Sequence, residues 1–227
     1  MSDIPLGKIE PGRTALLLID FQRRHLDAEI AYHPVSKEEA ERIVRNARRL
    51  LEFARTSGIP VIFVETFSRR ASKWGIVDAR NAYWEAQANR VVPGSNFVRR
   101  TGRNVEGSVY AEILPDLAPG PDDIRVLKKR YSAFYGSDLE LVLRGLGVDT
   151  LIVAGVNTNN CVLSTCFDAF NRDYRIIVIE DCCGSMNGAD MHEFAIKEIK
   201  AALGWVRSSE EMATLLRSEH EQGAARP

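Results

Sequence analysis

The segment with the clearest chemical potential is 151–167, which reads LIVAGVNTNNCVLSTCF and places a cysteine between a strand pattern and a helix pattern. The apolar block 151–154 is typical of a strand buried on both faces. Gly155 permits a sharp bend, and polar turn formers follow it as far as Cys161. The spacing after Cys161 predicts a helix, so its thiol is expected near a helix N-terminus, where ionisation is favoured. Cys161 is therefore a candidate nucleophile, and the alternative is a small buried core residue.

Two further side chains stand where predicted strands end. Asp20 follows the apolar run 14–19, and Lys128 follows the run 124–127. Because functional groups gather at the carboxyl ends of strands in an open parallel sheet, Asp20, Lys128 and Cys161 are expected at one edge. Asp20 can take the thiol proton, and Lys128 can keep the carboxylate ionised and lower the pKa of the thiol. The alternatives are a turn or helix-capping acid and a surface lysine.

The elements that must position these groups alternate along the chain. This alternation predicts an α/β fold with three αβα layers, in which helices cover both faces of a six-stranded, mostly parallel, Rossmann-like sheet. The predicted strands are 14–19, 60–64, 124–127, 151–154, 175–179 and 205–206. The first predicted helix ends before Gly58. The other predicted helices are 139–146, 161–171, 191–203 and 208–217. Their predicted caps are the pairs Ser36/Glu39, Ser137/Glu140, Asp190/Glu193 and Ser208/Glu211.

We expect the chain to form one domain over 1–227. Its irregular parts are a lead-in over 1–12, a covering insert over 67–110 with short helices over 81–89 and 108–114, and a flexible tail over 218–227. The insert carries Trp74, Tyr83 and Trp84, which line either the pocket or a subunit interface.

The composition excludes several classes of protein. Of the 227 residues, 45% are hydrophobic and 27% are charged, which suits one globular domain with a sizeable core. A net charge of -1 offers no general attraction to nucleic acid or to an anionic membrane. No stretch reaches the roughly 18 apolar residues of a membrane span, and the N-terminus lacks a secretory apolar region. The four cysteines form no CxxC pair, so we expect them to be reduced and the protein to be cytoplasmic.

Three segments together resemble those of the isochorismatase-like cysteine hydrolases. They are LLLIDFQ (16–22), VLKKRYSAFYGSDLE (126–140) and AGVNTNNCVLSTCFDAFNRDYRIIVIEDCC (154–183). This family includes nicotinamidases, N-carbamoylsarcosine amidases, ureidoacrylate amidases and biuret-type hydrolases. The resemblance extends over about residues 13–206, and its motifs are specific in their order and spacing. It places the catalytic triad of the family on Asp20, Lys128 and Cys161.

The resemblance also implies a reaction. Asp20 takes the proton of Cys161, and the thiolate attacks an amide or ureide carbonyl. A thioester forms as ammonia or an amine leaves, and water then releases the acid. The oxyanion is held by the backbone N–H groups of Asn157 and Cys161, and the peptide bond between Val156 and Asn157 is expected to be cis.

Four residues near the triad are candidates to contact the substrate: Gln22, Phe134, Asn157 and Asn160. Turn and cap roles are the alternative for the asparagines, and support of Asp20 is the alternative for Gln22. The family forms homodimers and homotetramers, and we expect subunit contacts in the insert 67–110.

Departures from the family pattern reduce the number of activities that the sequence allows. Metal-binding nicotinamidases carry an Asp-x-His pair after the second strand, where this chain reads Glu65-Thr66-Phe67-Ser68. We therefore predict no catalytic metal, no cofactor and no nicotinamidase activity. The leading hypothesis is a cysteine amidohydrolase acting on a small linear amide or carbamoyl compound. The alternatives are a non-catalytic member that binds a metabolite or partner, and a vinyl ether hydrolase of the isochorismatase type, against which Cys161 argues.

Overall fold

A computed structural model describes residues 4–31, 34–78, 82–83 and 104–224 of the chain. Within these ranges the chain forms a six-stranded sheet in which all neighbouring strands are parallel. The strands are β1 (Thr14–Ile19), β2 (Val61–Thr66), β3 (Arg70–Ala71), β4 (Gly75–Ile76), β5 (Ile124–Lys128), β6 (Thr150–Val156), β7 (Arg175–Gly184) and β8 (Trp205–Arg207). β3 and β4 stand apart from the main sheet as a small antiparallel pair.

The order of strands in the main sheet is β5-β2-β1-β6-β7-β8. The chain therefore builds the sheet outwards from β1 in one direction, and then returns to the other side of β1 with β6. Ligand sites in open α/β sheets lie at the carboxyl ends of the strands beside such a switch point. The predicted six-stranded parallel α/β fold is confirmed.

Helices lie on both faces of this sheet. They are α1 (Arg23–Leu26), α2 (Lys37–Thr56), α3 (Leu139–Gly145), α4 (Leu163–Phe170), α5 (Ala189–Glu198) and α6 (Ser209–Ala224). Successive side chains of a strand point to opposite faces. Accordingly, Leu16 and Leu18 of β1 belong to the core under α2 and α6, whereas Leu17 and Ile19 belong to the core under α3 and α4. Every residue of β1 is buried, as its unbroken apolar pattern predicts for a central parallel strand.

Two of the predicted helix caps form as capping boxes. Ser36 and Glu39 bond reciprocally at the start of α2, and Ser208 and Glu211 do the same before α6. The prediction for Ser137 and Glu140 is wrong. Glu140 pairs instead with Arg144 and Arg172, so its carboxylate is turned away from the start of α3.

Several predicted boundaries also change. The cap predicted from Asp190 and Glu193 is absent, since α5 begins after Gly188 without a capping side chain. The predicted helix 191–203 is α5 followed by a π-helical segment, Ile199–Leu203, and the segment 108–114 contains only a short 3-10 turn, Val109–Ala111. β7 extends to Gly184, and α6 extends to Ala224 rather than ending at 217.

The insert 67–110 is described only in part. Its β3–β4 pair and the segment from 104 onwards are described, whereas Trp84 and most of the predicted helix 81–89 lie outside the described residues. Trp74 and Tyr83 are strongly exposed, at 71% and 64%. None of the described helices combines the length and apolar character that crossing a bilayer requires.

Candidate active site

The three strand-end groups meet at the carboxyl edge of the sheet beside the switch point. Asp20 directly follows β1, Lys128 is the last residue of β5, and Cys161 lies in the turn that follows β6. β2 separates β5 from β1, so the Lys128 side chain passes over the end of β2 to reach Asp20. Neighbouring strands are about 4.8 Å apart, so this span of two spacings needs a long side chain from one strand.

The Lys128 ammonium connects the other two groups. Its Nζ lies 2.9 Å from Oδ2 of Asp20 and 3.4 Å from Sγ of Cys161, and it donates to the carbonyl oxygen of Arg130 at 3.0 Å. Asp20 and Lys128 are essentially inaccessible to solvent, at 0% and 1% exposed, and Cys161 is 6% exposed. A buried ion pair therefore lies directly against a buried thiol.

The electrostatics of this pair keep both partners charged. Burial alone would raise the pKa of Asp20, but the positive charges of Lys128, Arg24 and His25 outweigh it, and the pKa is lowered overall. Burial would lower the pKa of Lys128, but the negative charge of Asp20 and the interaction with Cys161 raise it overall. Asp20 is therefore an ionised carboxylate at neutral pH and can accept a proton.

The expectation that its surroundings make Cys161 more acidic is wrong. Burial and the negative charge of Asp20 raise the pKa of the thiol to about 11, and the opposing charge of Lys128 is too weak to reverse this. Cys161 also lies inside a π-helical turn, Thr158–Val162, and not at the first residue of α4. The resting thiol is thus protonated, and its sulfur lies 3.4 Å from Nζ of Lys128. A thiolate at neutral pH therefore requires a base that removes this proton.

Close contact between β1 and β6 brings the acid and the thiol together. Gly155 of β6 pairs with Ile19 of β1. A Cβ at Gly155 would lie 2.5 Å from the carbonyl oxygen of Ile19, so only glycine permits this spacing. Asp20 then turns out of the strand with a positive φ of 56°, a conformation that aspartate tolerates better than most residues.

The nucleophile turn, residues 156–162, is held by side chains that the sequence-based prediction did not single out. The peptide bond between Val156 and Asn157 is cis, as the resemblance implies. Thr158 Oγ1 lies 2.8 Å from Nδ1 of His192. Thr165 donates to the carbonyl oxygen of Cys161 at 2.7 Å and accepts from the Ala133 N–H at 3.0 Å. These bonds connect the turn to α5, to α4 and to the loop after β5.

Gln22 and Phe134 do not offer polar or exposed groups to a substrate. The Gln22 amide donates to the carbonyl oxygens of Thr66 and Ala111 and accepts from the Thr66 N–H. Its side chain thus ties the end of β2 to the segment before β5, which favours the supporting role over substrate contact. The Phe134 ring packs against the Arg172 guanidinium, 4.9 Å from the ring centre, within the core below α4.

The asparagines of the turn differ in their hydrogen bonds and in their exposure. Asn157 is 6% exposed, and its side-chain oxygen accepts from the Met186 N–H at 2.9 Å. The side-chain oxygen of Asn159 accepts from the Ser185 hydroxyl at 2.7 Å. Asn160 is partly exposed next to Cys161. The predicted substrate contacts of Asn157 and Asn160 remain predictions, and the Asn157 side chain is engaged by the backbone.

Two more residues face the triad. Arg24 of α1 lies one helical turn after Asp20, and its Nη2 is 3.6 Å from Oδ1 of that carboxylate. Tyr131, in the loop after β5, has its pKa raised by burial and further by its proximity to Cys161. Arg24 carried no sequence signal, because it reads as one of several surface arginines.

At the position where nicotinamidases carry a metal-binding acid, this chain has Glu65, whose carboxylate forms an ion pair. Glu65 is 3% exposed, and its carboxylate forms a two-pronged ion pair with Arg125 at 2.5 Å and 2.8 Å. Over the part of the chain that the structure describes, no cluster of three or more His, Cys, Asp or Glu side chains has the arrangement of a metal site.

Comparisons with known proteins identify the family and the fold. Residues 14–211 match the Isochorismatase domain. Ureidoacrylate amidohydrolase RutB of Pseudomonas syringae pv. syringae is 30% identical over 225 residues, which cover 91% of this chain and 85% of that protein. A crystal structure of a cysteine hydrolase from Pseudomonas syringae pv. phaseolicola has a TM-score of 0.80 at 27% identity, covering 96% of this chain and 100% of that one. For N-carbamoylsarcosine amidase of Thermoplasma acidophilum the TM-score is 0.66 at 25% identity, with 87% and 97% covered.

Proposed function

The chain belongs to the isochorismatase family of hydrolases, and from that premise we propose that it is a cysteine-dependent amidohydrolase. The reaction is cleavage of the C–N bond of a small linear amide or of a carbamoyl or ureide compound. The observation that carries the proposal is the convergence of Asp20, Lys128 and Cys161 from separate strands onto one buried site. The relatives named as a ureidoacrylate amidohydrolase and an N-carbamoylsarcosine amidase support this choice of bond.

The first half of the reaction carries one proton from the sulfur to the leaving nitrogen and replaces the C–N bond of the substrate with a C–S bond. Asp20 takes the proton of Cys161, and the sulfur attacks the carbonyl carbon of the substrate. The backbone N–H groups of Asn157 and Cys161 bind the resulting oxyanion. When the tetrahedral adduct collapses, the C–N bond breaks, and the leaving nitrogen takes the proton from Asp20. The products of this half are a thioester on Cys161 and free ammonia or an amine.

The second half restores the enzyme. Asp20, ionised again, takes a proton from water, and the hydroxide attacks the thioester carbonyl. Collapse of the adduct breaks the C–S bond, and the sulfur takes the proton back from Asp20. Lys128 remains protonated throughout and stabilises whichever of its two neighbours is negatively charged, first the carboxylate and then the thiolate.

The test is release of ammonia or amine from a panel of primary amides, ureas and N-carbamoyl compounds. The Cys161→Ala variant should lose at least about 10³-fold in turnover, because no covalent intermediate can form. Cys166→Ala is the matched control, since Cys166 is a buried core thiol on α4 away from the ion pair. Equal turnover by Cys161→Ala and the wild type would refute the mechanism. Binding of the amides without turnover by the wild type would favour the non-catalytic alternative.

We also propose that no metal ion takes part. The carboxylate of Glu65 is occupied by Arg125, and in the proposed reaction Asp20 takes the proton of Cys161. Turnover should therefore be unchanged after treatment with a strong chelator and gel filtration. Loss of activity that zinc or manganese restores would contradict this part of the proposal.

A further inference from the structure

Thr165 connects two parts of the candidate site that lie far apart in the sequence. It stands four residues after Cys161 on α4, and it is completely buried. Its hydroxyl donates to the carbonyl oxygen of Cys161 at 2.7 Å and accepts from the backbone N–H of Ala133 at 3.0 Å. One hydroxyl can form both bonds, because it has one donor and two acceptor positions. The side chain thus bridges the nucleophile turn and the loop that follows β5.

The same loop holds the ammonium of Lys128. Nζ lies 2.9 Å from the carboxylate of Asp20 and 3.4 Å from Sγ of Cys161, and it donates to the carbonyl oxygen of Arg130 at 3.0 Å. These three partners match the three N–H donors of an ammonium. Arg130 and Ala133 are close neighbours in the loop, so movement of the loop at Ala133 also moves a carbonyl group that positions the ammonium.

Solvent cannot replace the Thr165 hydroxyl in this bridge. Ala133 is 0% exposed, so water does not reach its N–H. A buried N–H without an acceptor is costly, and nearly all such groups in folded proteins are paired. If the hydroxyl is removed, the loop must shift to find another acceptor or leave this N–H unpaired. Either outcome loosens the connection between the loop and the nucleophile turn.

We propose that Thr165 is a positioning residue whose hydroxyl holds the nucleophile turn against the loop after β5, and thereby keeps the sulfur of Cys161 in contact with the ammonium of Lys128. This inference rests on the proposed function, in which Lys128 stabilises the thiolate as it forms. Coulombic attraction falls as distance grows, so this stabilisation depends on the 3.4 Å contact. Burial and Asp20 raise the pKa of the thiol and Lys128 lowers it, so a longer contact raises this pKa further.

A purely structural role is the competing explanation for Thr165. Threonine in a helix commonly donates to the carbonyl oxygen four residues earlier, and such a bond needs no link to catalysis. In that case, loss of the hydroxyl loosens the packing around Cys161, which is only 6% exposed. The thiol then becomes more accessible and reacts faster with an alkylating reagent. The positioning role predicts slower alkylation instead, because the fraction of thiolate falls.

The experiment measures the rate at which iodoacetamide alkylates Cys161 at pH 7.5, with the modified residue identified by mass spectrometry. Thr165→Val and Thr165→Ala remove the hydroxyl with two sizes of side chain, and Thr165→Ser retains it. Thr14→Val is the matched control. Thr14 is also completely buried, and it donates to a carbonyl oxygen four residues earlier at 2.8 Å, but it lies at the opposite end of β1 from Asp20. Urea unfolding verifies that each variant is folded, and kcat and KM are measured with an amide that the wild type hydrolyses.

We expect Thr165→Val and Thr165→Ala to slow the alkylation at least about threefold. Their kcat should fall at least about tenfold with less than about threefold change in KM, because the hydroxyl acts on the reacting groups and not on substrate binding. Thr165→Ser should recover most of both losses, and Thr14→Val should behave as the wild type.

Faster or unchanged alkylation in the two hydroxyl-free variants would overturn the inference. Losses that Thr14→Val reproduces, or that Thr165→Ser does not recover, would also overturn it. Failure of both hydroxyl-free variants to fold would assign the hydroxyl to stability and would likewise refute the positioning role. Alkylation requires no turnover, so slower alkylation in these variants, with no amide hydrolysed by the wild type, would refute the proposed function alone.

Discussion

Asp20 and Lys128 belong to strands that are not neighbours, yet their charged groups lie 2.9 Å apart in the interior. Lys128 spans the end of β2 to make this contact, and the same ammonium reaches Cys161 at 3.4 Å. The ion pair thus fixes the position of the thiol relative to the acid. It also sets the resting protonation of the site: the pKa of Asp20 is lowered and that of the thiol is raised to about 11, so the carboxylate is ionised and the sulfur carries the proton.

The first prediction concerns Asp20→Asn. Burial and the negative charge of Asp20 raise the pKa of the thiol, whereas Lys128 lowers it. The variant should therefore have a more acidic Cys161 and yet lose at least about 10²-fold in turnover, since the base is gone. Thiolate absorbance near 240 nm, titrated against the same variant carrying Cys161→Ala, measures the pKa. A thiol pKa that stays at or above that of the wild type would contradict the electrostatic account.

The second prediction concerns the stability of the ion pair. Lys128→Met leaves Asp20 buried without its main counter-ion, and should reduce the free energy of unfolding by about 3–5 kcal/mol. The double variant Asp20→Asn/Lys128→Met removes both charges and should recover part of that loss. Urea unfolding of the two single variants and the double variant at pH 7.5 gives the coupling energy. Additive losses would mean that the two groups do not interact in the folded state.

The candidate site could be predicted from the sequence because the prediction required only the positions at which strands end. The run before Asp20 is continuous and the run before Lys128 is apolar except for Arg125, and parallel strands present their carboxyl ends at one edge. The pKa of the Cys161 thiol could not be predicted from strand ends. The pKa of the thiol depends on burial and on the charge of Asp20, which lies far away along the chain. Arg24 could not be identified from the sequence for a similar reason, because only its place in the folded structure distinguishes it from Arg23.

The cap signal of Ser137 and Glu140 failed where a distant partner competed. Glu140 matches the spacing of a capping box with Ser137, but Arg172 reaches it from the end of α4. At Ser36 and Glu39 the capping box forms as predicted. A local capping pattern in the sequence thus does not show whether a side chain distant in the sequence takes one of its members.

The third prediction separates the two roles considered for Gln22. Its amide satisfies two carbonyl oxygens and one N–H of the backbone, and the side chain is completely buried. Gln22→Met keeps the length of the side chain but leaves these groups without partners, so it should reduce the free energy of unfolding by about 1–3 kcal/mol. The KM of a turned-over amide should change less than about threefold. A large rise in KM at unchanged stability would instead assign Gln22 to substrate contact.

The last prediction concerns His192, whose Nδ1 lies 2.8 Å from Thr158 in the nucleophile turn. Burial, followed by the charge of Arg42, lowers the pKa of His192 below its ordinary value of 6.5, against the smaller raising effects of Glu39 and Glu193. As the pH falls through 6.5, the unfolded chain binds a proton before the folded one does, so the free energy of unfolding must fall. Urea unfolding at pH 7.5, 6.5 and 5.5 measures this slope.

In His192→Gln the slope should be smaller than in the wild type, because the titrating group is gone. Thr158→Val is the matched control: it removes the contact but leaves the imidazole half-buried beside Arg42, so most of the slope should remain. Identical slopes in the wild type and His192→Gln would mean that other groups account for the acid sensitivity. A reduced slope together with slower turnover at pH 7.5 would show that His192 orients the turn that carries Cys161, since the protein is then fully folded.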